Sequence, residues 1–503
     1  MMTLGRDMRL AFKSLCRQPG FVAMTIATLA LGIGASTAIF SVMDAVLLRP
    51  LPFPDDRQLV LLTERNRVRN LTATSFPALE EWRHLPELRD IAAYTPREFS
   101  FGTGADAEHL SGVGVSPGFF RTLGVAPELG PGLPADGPRL DPNARIVLDH
   151  ELFVSHFAGD PAALGRTVMV GGLPFTLAGV MPRSFTFPPG ARFWTTLPTS
   201  MQMIADDPGL RFLDVVGRLQ PNASVDHLRD RLRAWAQTSP TRSADAHAAD
   251  WQPEAVTLRD ATIGGVRTPI VTVFLAVALL LLVACANLGA LSLARGRRRL
   301  VTFALQSALG ASRGHLVRQL AIEALLLSFA GVGLAILCAA LAQRSIVALS
   351  VGQIPRIAEA GVDLRVIAFA CAAGVLTTCL VGAVPAWTLT RTSHLELLQR
   401  RSRGAGVARD GGWFAGLVGV EFAIALLLVA GAGLLINSYV RLTRTDTGIT
   451  PDHLAVGRIN IPLGGGWSSN DARRQFHATW SIARRISPAC RRPRSWRDCR
   501  SIP

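Results

Sequence analysis

Five long apolar runs divide the chain: Gln18 to Met43, Thr268 to Ala294, Ala324 to Gln343, Val366 to Thr390 and Phe422 to Val440. The last reaches back past Glu421 to about Trp413. Each approaches or exceeds the roughly 20 residues that a helix needs to cross a hydrocarbon core. Five membrane-spanning helices are therefore expected. For the first run the rival is a cleaved signal peptide, whose apolar region spans only about 7 to 15 residues. A retained helix is the better expectation.

Between the first two runs, residues 49–267 alternate on a shorter period. Thr167-Val-Met-Val and Leu173-Pro-Phe-Thr-Leu-Ala-Gly-Val-Met read as two strands around Gly171 and Gly172, and Arg145-Ile-Val-Leu as a third. Helices are expected near Pro77 to Arg89 and Val225 to Ala236. This is an α+β pattern, and its frequent Pro and Gly predict two subdomains. In residues 1–17, Leu4, Met8, Phe12 and Leu15 share one helical face and Arg6, Arg9, Lys13 and Arg17 another. That arrangement suits either an amphipathic helix lying on membrane lipid or a plain basic flank.

Composition agrees with a mixture of spans and a folded polar part: 49% hydrophobic, 18% charged, mean hydropathy +0.30. The net charge of +15 comes from 52 basic residues, of which Lys13 is the single Lys. These residues flank spans and do not gather on one folded surface, so no nucleic-acid partner is expected. Arg and Lys near span ends tend to stay in the cytoplasm. Arg6, Arg9, Lys13 and Arg17, then Arg295, Arg297, Arg298, Arg299, Arg313 and Arg318, then Arg391, Arg400, Arg401, Arg403 and Arg409 all fall inside if the N-terminus is inside. Residues 49–267 are then outside. So is the nearly neutral loop carrying Arg344, Arg356 and Arg365 against Glu359 and Asp363.

Several chemistries drop out. A phosphate-binding loop needs a Lys directly after a Gly, and Lys13 follows Ala-Phe, so the chain carries no standard ATPase motif and is not expected to be an enzyme. Seven cysteines occur, none between Cys16 and Cys285, so the outside region has no disulfide or thiolate site. His109, His150 and His156 are scattered and lack the i, i+4 spacing of a metal site. No catalytic residue, metal or cofactor is expected. Within the spans only Asn287 and Asn437 are strongly polar, with Asp44, Glu323 and Glu421 near the ends, which poorly supports a conducting path. Gly32 and Ser36 have the spacing that lets helices approach closely, either between chains or within one.

An internal echo links Pro54-Asp-Asp-Arg-Gln-Leu-Val-Leu-Leu to Pro451-Asp-His-Leu-Ala-Val-Gly, as though a second copy of the unit begins near Trp413. From Ile482 onward the chain is Arg-rich without apolar periodicity. A frame-shifted or prematurely ended reading frame and a disordered basic tail are the two readings.

Eight stretches carry a family resemblance. Asp7-Met-Arg-Leu-Ala-Phe-Lys-Ser-Leu-Cys-Arg-Gln-Pro-Gly-Phe, Leu29-Ala-Leu-Gly-Ile-Gly-Ala-Ser-Thr-Ala-Ile-Phe-Ser-Val and Leu47-Leu-Arg-Pro-Leu-Pro-Phe-Pro-Asp look like the start of a MacB/FtsX-type ABC transporter permease. Among these, the duplicated orphan subgroup is most similar. Val115-Ser-Pro-Gly-Phe-Phe-Arg-Thr-Leu-Gly-Val-Ala-Pro and Phe175-Thr-Leu-Ala-Gly-Val-Met-Pro resemble its periplasmic core domain. Ala308-Leu-Gly-Ala-Ser-Arg, Leu316-Val-Arg-Gln-Leu and Glu323-Ala-Leu-Leu-Leu resemble its permease domain.

The resemblance implies a multi-pass protein of the bacterial inner membrane with a cytoplasmic N-terminus. Its fold class would be membrane α-helical, about five transmembrane helices, with a large α+β periplasmic domain. The layout would be 1–17 cytoplasmic segment, 18–48 first span, 49–267 periplasmic core domain and 268–394 permease domain with three spans. A linker over 395–412, a fifth span over 413–440 and the start of a second periplasmic domain over 441–503 would follow, truncated in the second half. The implied partners are a separate cytoplasmic ABC ATPase and a periplasmic adaptor, with a second copy of the chain as a further partner. The implied function is efflux or mechanotransmission, in which ATP-driven motion reaches the periplasmic domain. A non-transport regulator of a periplasmic cell-wall enzyme, or an inactive remnant, are the alternatives.

Coupling to the ATPase would fall within Thr302 to Arg318, at Ala308, Leu309, Gly310, Ala311, Ser312, Arg313 and Arg318. A solvated basic loop that only sets topology is the other reading. Family members usually carry an acidic residue and then an Arg ahead of this motif, where this chain has Thr302 and Gln306.

Overall fold

The computed structural model describes residues 8–66, 71–102, 107–197, 206–298, 313–350, 356–380 and 411–444, apart from positions 10, 14, 139, 142 and 246. In chain order the elements are α1 (Pro19–Met43) with a π-helical turn (Asp44–Leu48), β1 (Leu59–Asn66), β2 (Leu71–Ala73), α2 (Phe76–Trp82), β3 (Leu88–Phe101), β4 (Glu108–Val115) and α3 (Phe119–Leu123). Next come β5 (Arg145–Leu148), α4 (His150–Phe157), β6 (Thr167–Val170), β7 (Leu173–Val180), β8 (Phe193–Thr196), β9 (Asp214–Leu219), α5 (Val225–Thr238) and β10 (Trp251–Thr257). The long helices α6 (Leu258–Arg298), α7 (Arg313–Ser350), α8 (Leu364–Thr378) and α9 (Gly411–Thr443) complete the chain. The described residues divide between 8–49 with 263–444, and 50–262.

Among the described residues the strand-rich unit holds ten strands in one sheet, nine on the path β10-β1-β9-β3-β4-β8-β5-β7-β6 and β2 beside β1. The two subdomains expected from Pro and Gly punctuation are thus continuous, and β3 is the reason. Its Leu88–Tyr94 half pairs with β9, and its Tyr94–Phe101 half pairs with β4. Phe101 also meets Val170 of β6, which brings the far strand back to β3. Most pairs are antiparallel; β4 with β8 and β5 with β7 are parallel.

Local chemistry sets the elements. Gly171 and Gly172, at φ +58° and +80°, form the two-residue turn that closes the β6–β7 hairpin at Val170 and Leu173. Left-handed conformations at both positions give the hairpin the twist its strands need. Ser75, Asp149 and Ser224 cap α2, α4 and α5, each side chain accepting a backbone N–H three residues on. The helix expected over Pro77 to Arg89 ends at Trp82 instead. Pro86 has no N–H and disfavours helical geometry at Leu85, so Leu88 is free to open β3. On α5, Leu228, Leu232 and Trp235 recur at helical spacing and are buried with Trp82 under one end of the sheet. Phe119, Trp194 and Met181 form a second cluster, and Phe153, Phe175 and Phe193 a third. Each such side chain contributes about 1.5 to 3 kcal/mol on burial.

Two polar features lie inside this unit. Glu64, 0% exposed, accepts from Arg211 Nε at 3.0 Å and Arg242 Nη1 at 2.9 Å, and Arg211 donates onward to Asp245 at 2.7 Å. The second is Asp214, cross-strand from Tyr94, whose carboxyl burial pushes up to about 6.

The unfolded carboxyl ionises near 3.8 and the folded one near 6. Between those values the folded state binds more protons, so stability falls as pH rises through the window and stays reduced above it. Asp214→Asn is expected to remove that slope and to raise stability at neutral pH by about 2 to 3 kcal/mol. Thermal unfolding of both proteins from pH 4 to 8 checks it. Parallel curves for the two would refute the assignment.

Among the described residues, four stretches are long and apolar enough to cross a membrane: Pro19–Leu48, Leu258–Ser292, Ala321–Leu349 and Val418–Thr443. Leu364–Thr378 is a shorter apolar helix, and residues 381–390 of the expected fourth span lie outside the described residues. Leu29, Ile33, Leu288, Val332, Ala335, Ala370 and Ala373 form a core drawn from α1, α6, α7 and α8. Helix α9 shows Phe422, Leu426, Leu434 and Leu442 to its surroundings. Ahead of α1, Ala11 and Leu15 are buried, whereas Met8 and Phe12 are exposed.

Candidate functional site: the helix seam and its charged clasp

Small residues let α1 and α7 touch. A Cβ placed on Gly331 would sit 2.9 Å from Leu29 Cβ, and one on Gly34 would sit 3.2 Å from the Ala335 carbonyl oxygen. Contacts rise together along both helices, so the two run parallel. Lipid supplies no hydrophobic force between helices, and such close approach gives the packing contacts that replace it. Helix α8 joins in the same way. Gly374 leaves room for Val332, whose Cγ2 would be 2.4 Å from an added Cβ, and Ser328 Oγ donates to the Gly374 carbonyl at 2.8 Å. Cys285 Sγ lies 3.6 Å from Thr377 Oγ1, and Phe40 stacks on Phe369 with centroids 4.1 Å apart.

Gly32 and Ser36 are both buried on α1. Gly32 faces Leu281 and Ala284 of α6 in the same chain, and Ser36 Oγ donates to the Gly32 carbonyl at 2.9 Å. Gly34 is on the α7 side. Four residues at heptad-like spacing share that side: Gly34, Thr37, Ser41 and Asp44. Thr37 is 0% exposed and Ser41 and Asp44 are each 1% exposed. On α7, Ala335, Ala339 and Gln343 share a face, and Gln343 is 6% exposed. The sequence reading named Asp44 alone of these polar groups; the spacing from Gly34 to Asp44 is the signal that identifies the others.

At the end of α1 the π turn brings the Arg49 N–H onto the Asp44 carbonyl at 2.9 Å. Such turns recur at functional sites. The Arg49 side chain folds back, with Nε 2.9 Å from Asp44 Oδ2 and Nη2 2.6 Å from Asp363 Oδ2. Arg365 Nη1 is 3.5 Å from Asp44 Oδ1. Arg356 grips Glu359 at 2.6 Å and donates to the Arg49 carbonyl at 3.2 Å. A loop that sequence shows as nearly neutral is thus a clasp tying α1 to the start of α8.

Of the residues expected to couple to an ATPase, Ala308, Leu309, Gly310, Ala311 and Ser312 lie outside the described residues. Arg313 opens α7, and Arg318 is exposed on its first turns. Glu323 is buried on α7, while Asn287 and Asn437 are exposed. In the strand-rich unit His150 approaches Glu128 at 3.3 Å and His156 approaches Glu108 at 3.9 Å. Among the described residues no group of three or more His, Cys, Asp or Glu could hold a metal ion.

Two family profiles match the chain in order: the MacB-like periplasmic core domain over residues 22–235 and the FtsX-like permease C-terminal domain over residues 274–393. The chain belongs to the MacB/FtsX-type ABC transporter permeases. It is accordingly a membrane protein, α-helical in its spans, with an α+β domain of the MacB type. The permease match takes in most of α6, all of α7 and α8, and the stretch holding residues 308–313. Among solved structures, the periplasmic region of MacB from Actinobacillus actinomycetemcomitans is similar at 15% identity, covering 42% of this chain and 92% of that one, with a TM-score of 0.32. The extracellular domain of the noncanonic ABC-type transporter YknZ from Gram-positive bacteria is similar at 12% identity, covering 39% of this chain and 99% of that one, with a TM-score of 0.29. Comparison with curated proteins yields no match.

Proposed function

We propose that this permease is the membrane subunit of an ABC-type efflux or mechanotransmission system. A separate cytoplasmic ATPase drives it, and its motion reaches the α+β domain on the periplasmic side. The observation that carries this reading is the succession of the two family matches along a chain with four membrane-length helices. The Arg-rich flanks favour the bacterial inner membrane with the N-terminus in the cytoplasm. The domain limits follow: 1–17, 18–48, 49–267, 268–394, 395–412, 413–440 and 441–503. The tight α1–α7–α8 packing suits helices that move as levers better than helices that line a path.

In this reading Ala308, Leu309, Gly310, Ala311, Ser312, Arg313 and Arg318 meet the ATPase, with Gly310 dividing two helical arms and the Arg side chains facing acidic groups. A periplasmic adaptor, surrounding lipid and a second copy of the chain are further partners. No catalytic role is assigned to any residue of the permease. Purifying the tagged full chain in mild detergent and identifying what stays bound tests the proposal. An ABC ATPase is expected, reduced at least tenfold in the Gly310→Pro, Arg313→Glu double variant. A folded protein that retains no ATPase would overturn the reading. Retention of a cell-wall hydrolase in its place would favour a regulator.

A further inference from the structure

The α1–α7 seam contains polar groups that its closed arrangement does not satisfy. Among the described residues, Thr37 Oγ1 and Ser41 Oγ are buried without a hydrogen-bond partner. A hydroxyl on a membrane helix can ordinarily bond the carbonyl four residues back, as Thr28 does to Met24 at 2.8 Å and Ser36 to Gly32 at 2.9 Å. Thr37 and Ser41 decline that bond, so their oxygens carry the full cost of desolvation.

Other polar groups lie close by on the same two faces. Ser41 is seven residues past Gly34, and Gln343 is eight past Ala335, so the parallel helices set them at about one level. Asp44 follows Ser41 on α1, and its carboxylate meets Arg49 and Arg365 at the end of the seam. One turn below Thr37 the character changes: Ile33, 0% exposed, sits in the apolar core with Leu29, Val332 and Ala335. The seam is therefore apolar at depth, whereas from Thr37 to the clasp its polar groups Thr37, Ser41 and Gln343 lie beside a second apolar cluster that includes Val42, Val46 and Ile357.

We infer that the α1–α7 seam opens from its Asp44 end and admits water as far as Thr37. Water reaching Thr37 and Ser41, at the level of the buried Gln343, satisfies hydroxyls that the closed seam leaves unpaired, which lowers the cost of parting the helices there. A buried site holds water only where several polar groups converge, and Ile33 marks where that condition ends. Small-residue packing holds α1 against α7, and the clasp ties the same end of α1 to α8, so α1 parts from both when the seam opens. This inference rests on the proposed orientation, with the Asp44 end facing the periplasm.

The test is cysteine labelling of the full chain in spheroplasts with a membrane-impermeant, positively charged methanethiosulfonate. Site-resolved mass spectrometry separates the introduced thiols from the seven native cysteines. Ser41→Cys is expected to react at least tenfold faster than Ile33→Cys, with Thr37→Cys between them. Thr37→Val added to Ser41→Cys should slow labelling several-fold, because the apolar isostere removes the group that draws water. If Ser41→Cys does not assemble, Gln343→Cys reads the same level from α7. Asp136→Cys, whose native side chain is 83% exposed, reports orientation. Should Asp136→Cys stay unlabelled, the orientation fails and the comparison is read in inside-out vesicles. On whichever side labels Asp136→Cys, Ser41→Cys reacting no faster than Ile33→Cys would overturn the inference.

Discussion

Glu64→Ala is expected to destabilise the strand-rich unit by about 3 to 5 kcal/mol, the range for removing one partner from a buried ion pair. Two guanidiniums depend on this carboxylate. Arg211, with a side chain 3% exposed, keeps Asp245 but loses a bond of 3.0 Å. Arg242, 11% exposed, keeps only carbonyl acceptors, at Ala248 and Trp251. The Arg211 guanidinium also lies 4.8 Å from the Trp251 ring centroid, so tryptophan emission should report the change. Glu64→Gln should lose less, because an acceptor oxygen remains where the charge is gone. Chemical unfolding of the detergent-solubilised chain decides it. A loss below about 1 kcal/mol would mean that these charges are solvated and the pairing is of the weak surface kind.

The second large effect is expected at Gly374. An added Cβ would meet Val332 Cγ2 at 2.4 Å and Ser328 Oγ at 3.2 Å. Val332 cannot turn aside, because a β-branched side chain in a helix has essentially one open rotamer. Gly374→Ala therefore forces α7 and α8 apart and breaks the Ser328 bond to the Gly374 carbonyl. Overpacking of this kind costs about 1 to 3 kcal/mol, and Gly374→Leu should exceed it. Nothing among the described residues lies within 4 Å of a Cβ on Gly433 of α9, which makes Gly433→Leu the control. Melting in detergent should fall for Gly374→Leu and stay unchanged for Gly433→Leu. Equal melting of both would show that the α7–α8 contact contributes little.

How far each feature was legible depended on its range. The β6–β7 hairpin was readable because Gly-Gly between alternating apolar residues specifies its own turn. Helix α5 was readable because Leu228, Leu232 and Trp235 recur at helical spacing. Helix α2 was overextended through Arg89, since a polar stretch such as Arg83-His-Leu-Pro shows no boundary until Pro86 is given its backbone meaning. The length of β3 was invisible: Pro96 lies in its middle, and only pairing with β9 on one side and β4 on the other makes one strand of it. The expectation that residues 308–313 and Arg318 couple to an ATPase rests on resemblance alone, and residues 308–312 lie outside the described residues.

The membrane nature of the protein, the α+β class of its strand-rich region and the family were determined by the sequence alone. All of these rest on local composition, on periodicity or on short motifs, which need no knowledge of what lies across the fold. Tertiary structure decided the rest: that Glu64, Arg211, Arg242 and Asp245 form one buried chain of charge, that a nearly neutral loop is a clasp on Asp44, and that Gly34 packs on Ala335 of α7 while the Thr37 and Ser41 hydroxyls are buried unsatisfied. Each of these depends on residues far apart in sequence meeting at distances near 3 Å, and whether a charge is paired or a hydroxyl is satisfied is a property of that meeting.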